Sequence, residues 1–289
     1  MSILDRLRGL FGRAARSDRS PAPPADSAFG LDREQAAAWL AAVESGELCI
    51  PENPHDVAGW DRYWSAQLQH GSIEQGFNDM MANDPHLIPL LKKRGARTIL
   101  CAGNGLSSES FALALHGFDV TVLDLSAVPR AVFAGIVASA DHPFRRIPGF
   151  TARGEAEVTF ASSGPIDPEQ CPSMHKSDDH PPASGGSLRY VTGSLLEPDA
   201  CPGPFDVVIE RRTVQLFKPE ERPMALERLA NRLEGKGMFV SHEHRGNWRP
   251  GQPDGHYAVD WASQNGFVTH VDSETEAANR VARLLFSTG

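Results

Sequence analysis

The chain has 289 residues, 40% hydrophobic and 22% charged, a balance that suits one large core with an N-terminal extension at roughly 100–200 residues per domain. A formal net charge of -9 speaks against a nucleic-acid backbone as the main partner, because neutralising phosphates takes clustered Lys and Arg. Cys49, Cys101, Cys171 and Cys201 are scattered without a CxxC pair, which fits reduced thiols in a cytoplasm better than a disulfide framework. No run of about 18 apolar residues predicts a spanning helix, and the start lacks a signal-peptide h-region.

Met1 to Arg16 reads as a basic amphipathic helix, with Ile3, Leu4, Leu7, Leu10 and Phe11 at helical spacing among arginines. Two apolar turns give only weak contact with a membrane surface, so a frayed tail is the plainer reading. The Pro-rich stretch up to residue 27 is a linker by composition. Residues 28–96 form a helical cap, with helices over Asp32–Glu47 and between Trp60 and Leu91. Residues 97–289 then change period. Thr98–Ala102 is a short buried strand, followed by a glycine turn, a helix through Leu115 and a second strand over Phe118–Leu125.

A helix is expected over Ala131–Ala140, and the Pro-, Gly-, Ser- and His-rich stretch 151–187 reads as an insertion or a mobile loop. Further strands are predicted at Leu188–Thr192, Phe205–Glu210, Gly237–His242, Phe267–Val271 and Ala282–Thr288, with helices over Pro219–Leu233 and Tyr257–Gln264. Seven strands alternating with helices imply a mainly parallel α/β sheet covered on both faces.

The central motif is Cys101-Ala102-Gly103-Asn104-Gly105-Leu106-Ser107, between a strand and a helix. Glycines at such a turn allow unusual backbone angles and close approach of a ligand. Asp124 ends the next strand about 20 residues on, where a carboxylate can accept from both hydroxyls of a ribose. On these residues, 98 to about 241 resembles the class I S-adenosylmethionine-dependent methyltransferases, a Rossmann-like family. The resemblance implies S-adenosyl-L-methionine as co-substrate, with Gly103, Asn104, Gly105, Leu106, Asp124, Leu125, Ser194 and Leu195 around it. The segments FDVVIERR and LEGKGMFV, with a glycine-rich turn at Gly235–Gly237, match the family's fourth and fifth strands. Two positions depart from its pattern. Cys101 stands where an acid precedes the first glycine, and Ser194 stands where an Asp often lies beside the adenine.

The segment Trp60-Asp61-Arg62-Tyr63-Trp64 is similar to the aromatic N-terminal part of thiopurine-type methyltransferases, which implies Trp64 as a cofactor contact. Core packing is the competing use of these aromatics. The ligand crevice of an open parallel sheet lies at the carboxyl ends of its strands, which puts Glu210, His242 and His244 at the reaction site. Glu210 is the candidate to replace the acid missing at Cys101, and either histidine is a candidate base. A salt bridge from Glu210 to Arg212 is the alternative use of that carboxylate. Cys171, His175 and His180 fit no standard zinc spacing, so no metal is expected.

The FDVVIERR and GKGMFV layout tips the reading to a methyltransferase enzyme; the alternatives are an NAD-dependent oxidoreductase using the same turn and ribose acid, and an inactive methyltransferase-like scaffold. The acceptor is a small molecule under a lid or a protein side chain; nucleic acid is not expected.

Overall fold

The computed structural model describes residues 49–69, 87–107, 109–138, 150–160, 185–244, 257–272 and 281–288. The expected helices over 1–16 and 32–47, the linker, and Cys171, His175 and His180 lie outside them.

Helix α1 (Val57–Gln69) and helix α2 (Leu87–Lys93) precede strand β1 (Thr98–Ala102). Then come α3 (Glu109–Leu115), β2 (Asp119–Asp124), α4 (Ala127–Ala138), β3 (Phe150–Arg153), β4 (Glu157–Phe160) and β5 (Gly186–Thr192). Strand β6 (Phe205–Arg211), α5 (Arg222–Ala230), β7 (Leu233–His244), α6 (Tyr257–Gln264), β8 (Phe267–Asp272) and β9 (Val281–Thr288) complete the order. All the strands join one sheet in the order β3-β4-β5-β2-β1-β6-β7-β9-β8. Its middle, β5-β2-β1-β6-β7, is parallel throughout and carries the doubly wound order 3-2-1-4-5. Strand β9 runs antiparallel between β7 and β8.

The near-continuous apolar runs of β1, β2 and β6 follow from burial on both faces. Alternation divides them. Ile99, Cys101, Val120, Val122, Val207 and Ile209 pack with α3 and α4 on one face, where Leu87, Ile88 and Leu91 of α2 join the same core. Leu100, Ala102, Leu123, Val208 and Phe239 pack on the other face with Ala225, Leu226 and Leu229 of α5 and Ala258 and Ala262 of α6. At their starts β1 and β6 are pinned by Asp206, whose Oδ2 accepts from the backbone N–H of Arg97 and Thr98, 2.8 Å each.

Three expectations need correction. All seven expected strands are present, and β3 and β4 add two more at one edge. They form a hairpin turning at Gly154, with Val158 opposite Leu188 of β5. Residues 150–160 are therefore not a structureless loop, but at four residues per strand their alternation is too brief to stand out in the sequence. The helix expected over 219–233 is shorter. It runs only from Arg222 to Ala230, because residues 218–221 form a turn and Pro223, lacking an N–H, fits only a first helical turn. Leu233 instead opens β7. Its pairing with β6 jumps from Phe205↔Leu233 to Val207↔Met238, so the Gly235–Gly237 segment is looped out of the ladder within the strand.

Candidate nucleoside-binding site

The turn after β1 is built for close approach. Gly103 and Gly105 have φ of 63° and 53°, in the left-handed region that side chains disfavour. A Cβ on Gly103 would strike Thr213, and one on Gly105 would strike the Trp64 indole. Gly103 N–H donates to Leu123 O at 2.8 Å, tying the turn to the end of β2. Thr213 Oγ1 lies 3.3 Å from Ala102 O and 3.2 Å from Gly103 O, which seats the turn after β6 against it from the other side. Behind the glycines, Asn104 Nδ2 donates to Ser107 O at 3.0 Å and to Ser110 Oγ at 3.3 Å.

Asp124 ends β2 beside this turn. Its Oδ2 accepts from Gly105 N–H at 2.8 Å and its Oδ1 from Ser126 N–H at 2.9 Å. Each carboxylate oxygen has a second lone pair, so acceptor capacity remains beyond those two bonds. Burial raises its pKa to about 6, although both backbone bonds pull the other way, and the Asp61 charge adds a smaller upward push. Gly193 N–H donates to Asp124 O at 2.8 Å, bringing the Ser194–Leu195 loop alongside. Ser194 Oγ accepts from Leu196 N–H at 3.2 Å.

These pieces surround a cavity of about 340 Å³. Gly103, Asn104, Leu106, Asp124, Leu125, Ser194, Leu195 and Trp64 all line it, and Gly105 abuts Trp64 just behind. The remaining wall comes largely from α1 and from the turn after β6: Trp60, Tyr63, Gln67, Arg211, Arg212, Thr213 and Phe217. Trp60 and Trp64 stack with centroids 6.4 Å apart, and Tyr63 meets Trp64 edge-on at 4.9 Å. Asp61 docks α1 by accepting from Ser126 Oγ at 2.6 Å and Ala127 N–H at 3.2 Å, where α4 begins.

Glu210 is fully buried and outside the cavity lining. It accepts from Thr213 N–H at 3.0 Å, Val214 N–H at 3.2 Å and the Ser241 hydroxyl, shaping the turn that carries Arg211 to Thr213. The Glu210–Arg212 salt bridge considered from sequence is replaced by one between Arg211 and Glu109, 3.8 Å apart. His242 and His244 lie at the carboxyl end of β7, with His242 in register with Arg211. Cys101 faces the α3 side in the core; burial, with the Glu109 charge, pushes its thiol well above the ordinary range.

Arg232 has no motif to betray it. Buried at 3% exposure, its guanidinium donates to the carbonyls of Leu195, Glu197, Cys201 and Arg228 at 2.7–2.9 Å, holding the loop beyond Ser194 in place. Tyr63, Gln67 and Thr213 were also missed as site residues, although Tyr63 lies inside the aromatic segment and Thr213 directly follows the arginine pair. Among the described residues no group of His, Cys, Asp and Glu could hold a metal, and no helix is long and apolar enough to cross a membrane.

No family model matches the chain, and no curated protein does. Solved structures resemble it only distantly. A TehB-like S-adenosylmethionine-dependent methyltransferase from Corynebacterium glutamicum is 16% identical, with 82% of this chain and 100% of that one covered and a TM-score of 0.44. An O-methyltransferase family protein from Burkholderia thailandensis is 12% identical over 92% and 74%, at 0.49. Magnesium protoporphyrin IX methyltransferase from Synechocystis, crystallised with S-adenosylmethionine, is 15% identical over 78% and 84%, at 0.42.

Proposed function

We propose that the chain is an S-adenosylmethionine-dependent methyltransferase acting on an oxygen, nitrogen or sulfur nucleophile of a small molecule. The observation that carries this reading is Asp124, a buried carboxylate hydrogen-bonded to the glycine turn and lining a cavity between that turn and the Ser194 loop. That arrangement suits a nucleoside: the carboxylate accepts from the ribose hydroxyls, and Leu125, Ser194 and Leu195 flank the base. The glycine turn lets the rest of the ligand lie against bare backbone.

When bound, S-adenosylmethionine supplies a methyl carbon already made electrophilic by its sulfonium, so the protein's task is mainly alignment. Trp60, Tyr63 and Trp64 roof the site and exclude water. Glu210 fixes the Arg211–Thr213 turn, which forms one wall of the cavity. For an acceptor that must lose a proton, His242 or His244 is the proposed base, as both stand at the carboxyl end of β7. The scattered cysteines support a cytoplasmic setting.

The NAD reading is disfavoured by the sheet: the dinucleotide order 3-2-1-4-5-6 has no antiparallel strand inserted where β9 stands.

Isothermal titration with S-adenosylmethionine, S-adenosylhomocysteine and NAD tests the reading. Both sulfur nucleosides should saturate the protein, and Asp124→Ala should weaken them at least tenfold, which is about 1.4 kcal/mol. Binding of NAD alone would make the chain an oxidoreductase. Saturable nucleoside binding without turnover on any acceptor pool would make it a scaffold.

A further inference from the structure

The turn after β6 contains an unusual residue. Arg212 has φ of 56°, and among the described residues no other non-glycine has a positive φ. Such strain persists where surrounding structure enforces it, and it clusters at functional sites. The side chain lines the cavity, and its Nε is enclosed without a hydrogen-bond partner among the described residues. Nearby carboxylates are otherwise engaged: Glu210 with the amides of Thr213 and Val214, Glu109 with Arg211. Burial and the Arg211 charge lower the Arg212 pKa to about 10, with Tyr63 opposing, which leaves it cationic at neutral pH.

We propose that Arg212 receives a carboxylate of the methyl acceptor, so that the substrate class is a small acid with an apolar, ring-bearing body. The two terminal nitrogens of Arg212, which unlike Nε are not enclosed, form the end of the guanidinium fork, and that edge matches a carboxylate through two parallel hydrogen bonds. Position separates this site from the nucleoside. Asp124 and Ser194 follow β2 and β5 on one side of β1, whereas Arg212 follows β6 on the other. Trp60, Tyr63, Leu216 and Phe217 line the same cavity and offer an acid's body apolar and aromatic contact. The term acceptor rests on the methyltransferase reading; the carboxylate site does not.

The test is calorimetry with benzoate, phenylacetate, salicylate and indole-3-acetate against their primary amides, using protein saturated with S-adenosylhomocysteine and protein without it. Acids should bind at least tenfold tighter than their amides. Arg212→Met and Arg212→Gly should erase that preference, Arg212→Lys should keep part of it, and S-adenosylhomocysteine affinity should move by no more than about twofold, equivalent to about 0.4 kcal/mol. Arg212→Gly also accommodates the left-handed backbone, so a midpoint of unfolding at or above wild type will show that lost preference is not lost folding. Equal binding of acids and amides, or binding of neither, overturns the proposal. So does an Arg212→Met variant that weakens S-adenosylhomocysteine but not 5′-methylthioadenosine, because the carboxylate would then be the nucleoside's own. Arg212-dependent acid binding without any sulfur-nucleoside binding sinks the methyltransferase reading and leaves the anion site standing.

Discussion

A raised carboxyl pKa at Asp124 gives opposite signs for folding and for binding. Its folded value of about 6 exceeds the ordinary 3.9 or so of an unfolded chain. Its contribution to stability is therefore full below the unfolded value and is lost as pH rises through 6. Ribose hydroxyls are donors and prefer the ionised acid, so nucleoside affinity should climb from pH 5 and level off above 7. Below pH 6 the dissociation constant of S-adenosylhomocysteine should weaken by about tenfold per unit. Asp124→Asn should flatten that profile, and titration calorimetry at pH 5, 6 and 7 reads it directly. Gly105→Ala sets a Cβ against Trp64 in a left-handed backbone, and about 1–2 kcal/mol of strain is expected before the indole moves. Weaker nucleoside binding with quenched or shifted tryptophan emission would mark the displaced roof. Replacing His242 and His244 together by Ala should remove an acidic limb from the rate of methyl transfer; an unchanged profile across pH 6 to 8 rules both out as the base.

Two elements are held to the site by side chains remote from it in sequence. Asp61 accepts from Ser126 Oγ and Ala127 N–H, so α1 is moored where α4 starts. Asp61→Ala should loosen α1 alone, seen as faster amide exchange over 57–67 and a weaker nucleoside complex, at a cost of about 1–2 kcal/mol for the lost cap. Arg232→Met leaves four carbonyls short of a charged donor, and a loss of about 3 kcal/mol or more is expected, with the 194–201 loop exchanging faster. Local patterns showed what local physics controls. The strand–turn–strand unit over 98–124 was legible because apolar runs, glycines and a strand-end acid fall within one short stretch. Trp64 lines the cavity and also packs against the core, so both uses read from the aromatic segment apply to it. Arg232 was not legible, since its partners lie 4 to 37 positions away and nothing in a lone arginine announces four carbonyls. Glu210 was placed at the correct strand end, yet whether a carboxylate there faces the cavity or its own turn depends on the backbone path after β6. The hairpin of β3 and β4 owes its existence to the open edge of β5, a tertiary opportunity that four-residue segments cannot signal.

At the scale of the molecule, a ligand that binds only the folded chain shifts its unfolding. At one hundred times its dissociation constant, S-adenosylhomocysteine should add about 2.7 kcal/mol, or roughly 5–10 °C in the unfolding midpoint, and NAD should add nothing. Differential scanning fluorimetry distinguishes the two in one plate. The placement of β9 has a further consequence for synthesis. Every other described strand precedes it in the chain, yet it sits inside the sheet, and β8 is joined only through it. While the chain emerges from the ribosome, the five parallel strands can assemble, but β7 then presents a bare edge and β8 has nothing to pair with. Residues 281–288 close that gap, after every other described strand has been made. The nascent protein therefore carries an adhesive margin until β9 arrives, the interval in which a holdase is most useful to it.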